Sequence, residues 1–277
     1  GARESFVPER EPNINQIPFS GPLVSIVTPT HNAEATLAAT LASVKGQSFS
    51  QWEHILVDDA SQDSTPDLLA AYCARESRAR WIGFDQNQGA AAARNAAIEE
   101  AQGRYIAFLD SDDLWLPGKL KLQLAFMREK DVAFSFTGYD KIDEDGAFLG
   151  HIRAPFRSRY HDLLKNNTIG CLTAMYDTKK LGRVMMPSIR KRQDLGLWLR
   201  LLKLTPYAYG MPDILAQYRI RPNSISSNKL NAAKYTWQLY REVEQMSALK
   251  AGYYFLHYAL NGVVKSYFVK YLKKTRP

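Results

Sequence analysis

The chain is expected to fold as an α/β protein, a mostly parallel sheet with flanking helices followed by a helical C-terminal extension. Two observations carry this. From Leu23 onward, short β-rich runs alternate with helical stretches, and each run ends in small or polar residues, the pattern of a parallel sheet with helical crossovers. Beyond Asn228 the β-rich runs stop and the chain turns helical to its end.

Taken in order, strands are predicted over 23–28, 54–57, 81–84 and 105–109, with helices over 33–44, 66–75 and 90–101 between them. Thr65 before Pro66 predicts an N-cap with proline at the first helical position. The second half is less regular, with β-rich pieces over 132–137, 174–176 and 216–220 and a helix over 194–202. Helices are then predicted over 230–249 and 253–272. The chain accordingly divides into an N-terminal extension (1–20), a regular first half (21–115), a less regular second half (116–228) and C-terminal amphipathic helices (229–277).

With 277 residues, 45% of them hydrophobic, a sizeable core needs no staples. Cys73 and Cys171 have no metal-ligand or CxxC spacing, so a disulfide framework and a zinc site lack support and a reducing compartment fits best. The first 20 residues are polar and carry Pro8, Pro12 and Pro18, unlike a secretion signal. No run of about 18 apolar residues suggests a membrane-spanning helix. The expected location is cytoplasmic, or peripheral on the cytoplasmic face of the inner membrane.

A formal charge of +8 suggests an anionic partner without choosing one. After Ala251, Lys265, Lys270, Lys273, Lys274 and Arg276 face no Asp or Glu, and Tyr253, Tyr254, Phe255, Tyr258, Tyr267, Phe268 and Tyr271 lie among them. Such a helix suits an anionic membrane interface, and it equally suits packing on the rest of the protein or on a second subunit. No nucleic-acid partner is expected, because the basic residues follow no recognition motif.

In an open parallel sheet, ligands bind beyond the carboxyl ends of the strands. The loops there hold Pro29, Thr30, His31 and Asn32, then Asp58 and Asp59, then Asn87 and Gly89, then Asp110, Ser111, Asp112 and Asp113. Three carboxylates crowding one strand end repel each other and suit a hard cation such as Mn2+ or Mg2+; a solvated acidic turn would carry the same residues. Asp58 and Asp59 can accept from a base or ribose, or can serve the turn. Gly89 opens an alanine-rich helix whose start favours phosphate, with Arg94 one turn in, although such a helix also packs closely on a sheet. Asp194 opens an apolar helix either as its cap or as a general base. Arg219, Arg221 and Ser224 lie on a run leaving a strand, where a guanidinium can clamp a diphosphate and a solvated edge strand would look much the same.

Together and in this order, from Val24 to Ser227, these segments resemble the family 2 glycosyltransferases of the GT-A fold. The resemblance is carried by Val24 to Asn32, Val57 to Ser61, Asn87 to Asn95 and Phe108 to Asp113. It implies that Pro29, Thr30, Asn32, Glu34, Asp58 and Asp59 hold the nucleotide, with His31 in place of the family's usual tyrosine. It implies that Asp110 faces the ribose or donor sugar and Asp112 the metal, and that Asp194 is the base. Gln193 replaces the glutamate of the family's Glu-Asp pair.

The second half, notably 166–173 and 190–198, resembles the bacterial enzymes that build O-antigen, capsule or teichuronic acid chains. The expectation is therefore a metal-dependent inverting transferase. It would use a nucleotide-sugar donor, a UDP-sugar by resemblance, and a lipid-diphosphate-linked glycan acceptor. A sugar-phosphate nucleotidyltransferase would instead need a glycine-rich basic loop after the first strand, which Pro29-Thr30-His31-Asn32 is not. The rival of another class is a non-catalytic sugar-nucleotide or polyanion binding module.

Overall fold

A computed structural model of the chain describes residues 21–220 and 229–274. The first half holds β1 (Val24–Thr30), α1 (Leu37–Lys45), β2 (Trp52–Asp58), α2 (Thr65–Arg75), β3 (Ala79–Gly83), α3 (Ala90–Glu100) and β4 (Tyr105–Phe108). Next come β5 (Leu114–Trp115), α4 (Lys119–Glu129), β6 (Phe134–Ile142), β7 (Phe148–Ile152), β8 (Arg157–Ser158), α5 (Tyr160–Lys165), β9 (Met175–Asp177) and α6 (Thr178–Leu181). The chain continues through α7 (Gln193–Leu201), β10 (Ala208–Arg219), α8 (Lys229–Gln238), a π turn (Leu239–Val243) and α9 (Ala248–Lys274).

The strands form one sheet in the order β3-β2-β1-β4-β9-β6-β10-β5, with β7 beside β6 and β8 beside β10. β3, β2, β1 and β4 are mutually parallel. β9 runs antiparallel to both β4 and β6, so the sheet becomes mixed in its second half while staying continuous through it. The order of the first four strands reverses at β1, and the crevice beyond the carboxyl ends of β1 and β4 is the topological switch point where such sheets take ligands.

Four local expectations shift. β1 reaches Thr30, two residues further than predicted, and so includes Pro29. A proline is tolerated there because the pairing of β1 with β4 ends at Val27, so no ladder bond on that side is lost. α1 starts at Leu37, and the amides of Ala33 and Glu34 before it go to Thr65 Oγ1 (2.8 Å) and Asp63 Oδ2 (3.1 Å) in the segment after β2. Thr65 is thereby the first residue of α2 and not its cap; its own amide is taken by Asp63 Oδ1 at 2.9 Å. β10 is longer than predicted, since Gly210 and Pro212 break its sequence pattern and the ladder with β6 shifts register twice there.

One face of the sheet buries Val27, Ile106 and Phe108 under α3 and α7, and the other buries Ile26, Tyr105 and Ala107 under α4. Trp198 of α7 is fully buried, 5.5 Å from the ring of Phe108 and 5.4 Å from that of Phe134. Emptying that site would cost ~3–5 kcal/mol, so α7 is fixed to β4 and β6 by its own core residue. Ala251 and Tyr254 of α9 are buried in this same cluster, so the first half of the C-terminal helix packs on the sheet domain. No helix of the described residues is long and apolar enough to cross a membrane.

Candidate active site

The loops after β1 and β2 are stitched together residue by residue. Thr30 Oγ1 donates to Asp58 Oδ1 (2.9 Å), Asn32 N to Ser61 Oγ (2.9 Å), and Gln62 N to Asn32 Oδ1 (2.8 Å). His31 Nδ1 lies 2.8 Å from Asp59 O. Glu34 Oε2 accepts from both the amide and the hydroxyl of Ser64 (3.1 and 2.7 Å). Asn32 sits at φ 47 and Ala60 at φ 57, left-handed conformations that this mesh of bonds holds in place.

Asp58 and Asp59 are both buried, and both carboxylates are occupied by loop donors. Asp58 accepts from Thr30 and from the amide (3.0 Å) and hydroxyl (2.6 Å) of Ser61. Asp59 accepts from the amides of Gln88 (2.6 Å) and Gly89 (2.8 Å). It therefore ties the end of β2 to the start of α3, where Gly89 at φ 91 adopts a conformation that only glycine takes readily. The Asn87 side-chain amide reaches Asp59 O at 3.3 Å and completes this wall.

Beyond β4 the chain makes a tight turn, Asp113 N to Asp110 O at 3.1 Å, braced from behind by Thr36 on Ser111 O (3.0 Å) and Thr40 on Asp113 O (2.9 Å). Asp110 and Asp112 are half-buried at its front, while Asp113 is 2% exposed and accepts from Arg219 N at 3.0 Å. Burial, and then the charges of Asp112 and Asp110, push the Asp113 carboxyl well above the usual carboxylate range. Arg219, expected at a diphosphate, sends its guanidinium to the carbonyls of Asp112 (3.0 Å), Asp143 (3.2 Å) and Glu144 (2.6 Å), bracing the acidic turn. Arg221 and Ser224 lie outside the described residues.

Arg94, 7% exposed, donates to Asp110 Oδ1 at 2.5 Å, while its Nε finds no partner. Burial pulls this guanidinium down, but Asp110, Cys171 and Asp194 outweigh it and hold it above its usual range. Cys171 registers the same charges: burial raises its thiol, Arg94 opposes, and Asp110, Asp194 and Asp113 raise it further. Arg94 and Cys171, 77 positions apart in the chain, thus lie within electrostatic reach of each other and of Asp110 and Asp194. Cys171 carried no sequence signal, since a lone cysteine in a polar run is usually inert.

Asp194 lies in the first turn of α7, one residue beyond Gln193. The cap position belongs to Arg192, at φ 65, and no side chain caps the helix. The capping role open to Asp194 is therefore not taken, and no hydrogen bond or ion pair engages its carboxylate among the described residues. Gln193 turns away, donating to Arg190 O at 2.9 Å.

The fit of a divalent cation rests on the donor set. Among the described residues, no three His, Cys, Asp or Glu side chains form a ready-made metal cluster. Mg2+ and Mn2+ commonly take one or two protein carboxylates and complete their shell with water and phosphate oxygens, and the front of the acidic turn presents such oxygens. Of its carboxylates, Asp110 is paired with Arg94 and Asp113 is turned inward.

Residues 25–183 match the family described as Glycosyl transferase family 2. Over 245 residues the chain is 51% identical to TuaG of Bacillus subtilis (strain 168), a glycosyltransferase named for teichuronic acid biosynthesis, covering 88% of this chain and 97% of that one. It is 37% identical over 247 residues to WfgD of Escherichia coli, a UDP-Glc:alpha-D-GlcNAc-diphosphoundecaprenol beta-1,3-glucosyltransferase, covering 89% and 96%. Among solved structures, TarS 1–349 of S. aureus with UDP-GlcNAc superimposes with a TM-score of 0.64 at 18% identity, covering 85% of this chain and 71% of that one. The mannosyltransferase PcManGT of Pyrobaculum calidifontis, in complex with GDP-Man and Mn2+, gives 0.63 at 17%, covering 85% and 70%. These two likenesses establish the fold alone.

Proposed function

The chain belongs to glycosyl transferase family 2, as an enzyme of bacterial surface glycan synthesis, and from that premise we propose a metal-dependent inverting transfer from a UDP-sugar to a hydroxyl of a lipid-diphosphate-linked glycan. The observation that carries this reading is the Asp194 carboxylate, unengaged among the described residues and within electrostatic reach of the Arg94–Asp110 pair at the switch point of the sheet. UDP-glucose and a GlcNAc-diphosphate lipid are the first pair to assay, because WfgD is named for them.

In the proposed reaction the nucleotide lies against the stitched loops of Thr30 to Glu34 and Asp58 to Ser61, whose bonds fix its seat in advance. Asp194 takes the proton of the acceptor hydroxyl. The oxygen so freed bonds to the anomeric carbon, the bond from that carbon to the diphosphate oxygen breaks, and UDP leaves with the electron pair. Attack opposite the leaving group turns an α-linked donor into a β-linked product. A cation on Asp112, with Asp110 nearby, would offset the charge gathering on the diphosphate. Arg94 holds Asp110 toward the donor through its charge-assisted hydrogen bond.

α9 adds a route to a membrane-borne acceptor. Leu249, Tyr253, Leu256 and Leu260 are exposed at spacings of four, three and four residues and form one outward stripe, and the basic tail lacks acidic residues. An apolar stripe with basic flanks fits the anionic interface in which the lipid carrier sits.

Titration calorimetry with UDP, with and without Mn2+, on wild type and Asp112→Ala tests the donor site. The expected result is Mn2+-dependent UDP binding that the variant loses. UDP binding to wild type that ignores Mn2+ and survives Asp112→Ala overturns the metal assignment, and no binding in either condition overturns the choice of UDP.

A further inference from the structure

We propose that Tyr258 of α9 is a positioning residue for the transfer reaction, setting the start of α7, and with it Asp194, by holding Arg192 in its left-handed conformation. The inference rests on Asp194 as the base. It assigns the C-terminal helix a part in catalysis beyond covering the core.

Arg192 carries the geometry. At φ 65, ψ 20 it occupies a conformation that arginine adopts rarely, and its carbonyl accepts the first helical bond of α7, from Gly196 N at 2.9 Å. The orientation of that carbonyl fixes where the first turn begins, and Asp194 is in that turn. No side chain within α7 caps it, so the conformation of Arg192 must be held from elsewhere. The Arg192 guanidinium donates to the Tyr258 hydroxyl and stands 5.4 Å over the Tyr258 ring. One residue earlier, Lys191 Nζ lies 5.5 Å over the ring of Tyr235 in α8. Both C-terminal helices therefore grip the two residues that precede Gln193 and Asp194.

The remaining ties of this region hold α9 to the domain without touching α7. His161 Nδ1 meets the Tyr254 hydroxyl at 2.6 Å with the rings stacked, and Asn261 donates to Lys165 O at 3.1 Å. Glu244, buried, pairs with Lys203 at 2.7 Å and accepts from Tyr160. With these in place α9 stays docked when the Tyr258 hydroxyl alone is removed, so the contact with Arg192 can be tested without undocking the helix. The body of α7 is fixed by its core residues, so the effect falls on its first turn, and a small shift of a base is costly.

The test compares wild type, Tyr258→Phe, Arg192→Ala, their double variant and Asp194→Asn by thermal midpoint, UDP affinity and steady-state transfer from UDP-glucose to a GlcNAc-diphosphate lipid. The expected result for Tyr258→Phe is a roughly ten-fold fall in kcat with KM for the donor, UDP affinity and thermal midpoint unchanged. Arg192→Ala should show the same split, and the double variant should be no worse than the more impaired of the two. If Asp194→Asn is inactive while Tyr258→Phe keeps full kcat, or loses kcat only together with UDP affinity or thermal midpoint, the positioning role is overturned and the base reading stands. If Asp194→Asn retains transfer, the base reading falls and the positioning role falls with it.

Discussion

His54 lies wholly inside the protein on β2, with Nε2 2.8 Å from Thr28 Oγ1 and Nδ1 3.2 Å from the Tyr72 hydroxyl. Burial, opposed only by the charge of Glu76, pulls the ring from an ordinary 6.5 down to about 3. The unfolded chain takes up the proton as pH drops below 6.5 and the folded chain does not. Stability is therefore full above that pH and is lost progressively toward pH 3, by about 1.4 kcal/mol per unit over the central range. Urea unfolding between pH 7 and 5 should show this slope in wild type, with a markedly flatter one in His54→Gln; equal slopes would mean that another group carries the dependence. Glu53 and Glu76, whose pKa values are lowered, respond below this window, so they do not mask it. At this scale the sequence showed which residues bear charge but not what each one meets. Besides the local Ser61, the partners of Asp58 and Asp59 are a threonine hydroxyl 28 residues back and loop amides 29 and 30 residues ahead, reachable only once the loops converge. Arg192 gave no signal, because a left-handed conformation is expected of glycine or asparagine and not of arginine.

The start of α3 shows how an element depends on a carboxylate it does not contain. Asp59 accepts the amides of Gln88 and Gly89, two donors that the helix cannot satisfy internally, and its charge lies on the positive end of the helix dipole. Asp59→Ala leaves both amides without their acceptor and should cost about 1–3 kcal/mol, read as a lower urea midpoint. The same change should weaken UDP binding, since the loop from Asn87 to Gly89 loses its tie to β2. Lost stability with unchanged UDP affinity would make Asp59 purely structural. Elements of the first half were legible because β1, β2 and β4 are buried, largely apolar runs ended by loop chemistry. β10 was legible only in part: its early half carries Pro212 and Asp213 across two register shifts, which period-two reading cannot follow. α1 was predicted four residues too early, since the apolar pattern from Ala33 onward is helical, whereas the regular helix begins at Leu37 after a turn whose Ala33 and Glu34 amides go to Thr65 and Asp63.

Across the whole molecule, the switch point beside β1 faces one end of the sheet, while α9 packs against the helical face and presents Leu249, Tyr253, Leu256 and Leu260 outward. Two such helices pairing in parallel through this stripe would bring their basic tails together, six Lys and Arg from Lys250 to Arg276 with no acidic residue. Like charge disfavours that pairing and favours an anionic surface, where each basic residue near the lipid contributes roughly 1 kcal/mol and the exposed leucines add apolar burial. The protein should therefore pellet with vesicles containing anionic phospholipid at low salt and much less with neutral vesicles. Leu256→Glu with Leu260→Glu should remove the apolar part and release the protein, while transfer to a short water-soluble acceptor stays at the wild-type rate, because neither side chain reaches into the core. Binding that persists in this variant would place the membrane contact elsewhere on the basic surface. Failure of the wild type to bind anionic vesicles at low salt would leave the stripe without a lipid role and return self-association, read by sedimentation, as the next occupant to test. Charge and exposure act together: the stripe alone fits several partners, and the run of basic residues without Asp or Glu between Lys250 and Arg276 favours the anionic one.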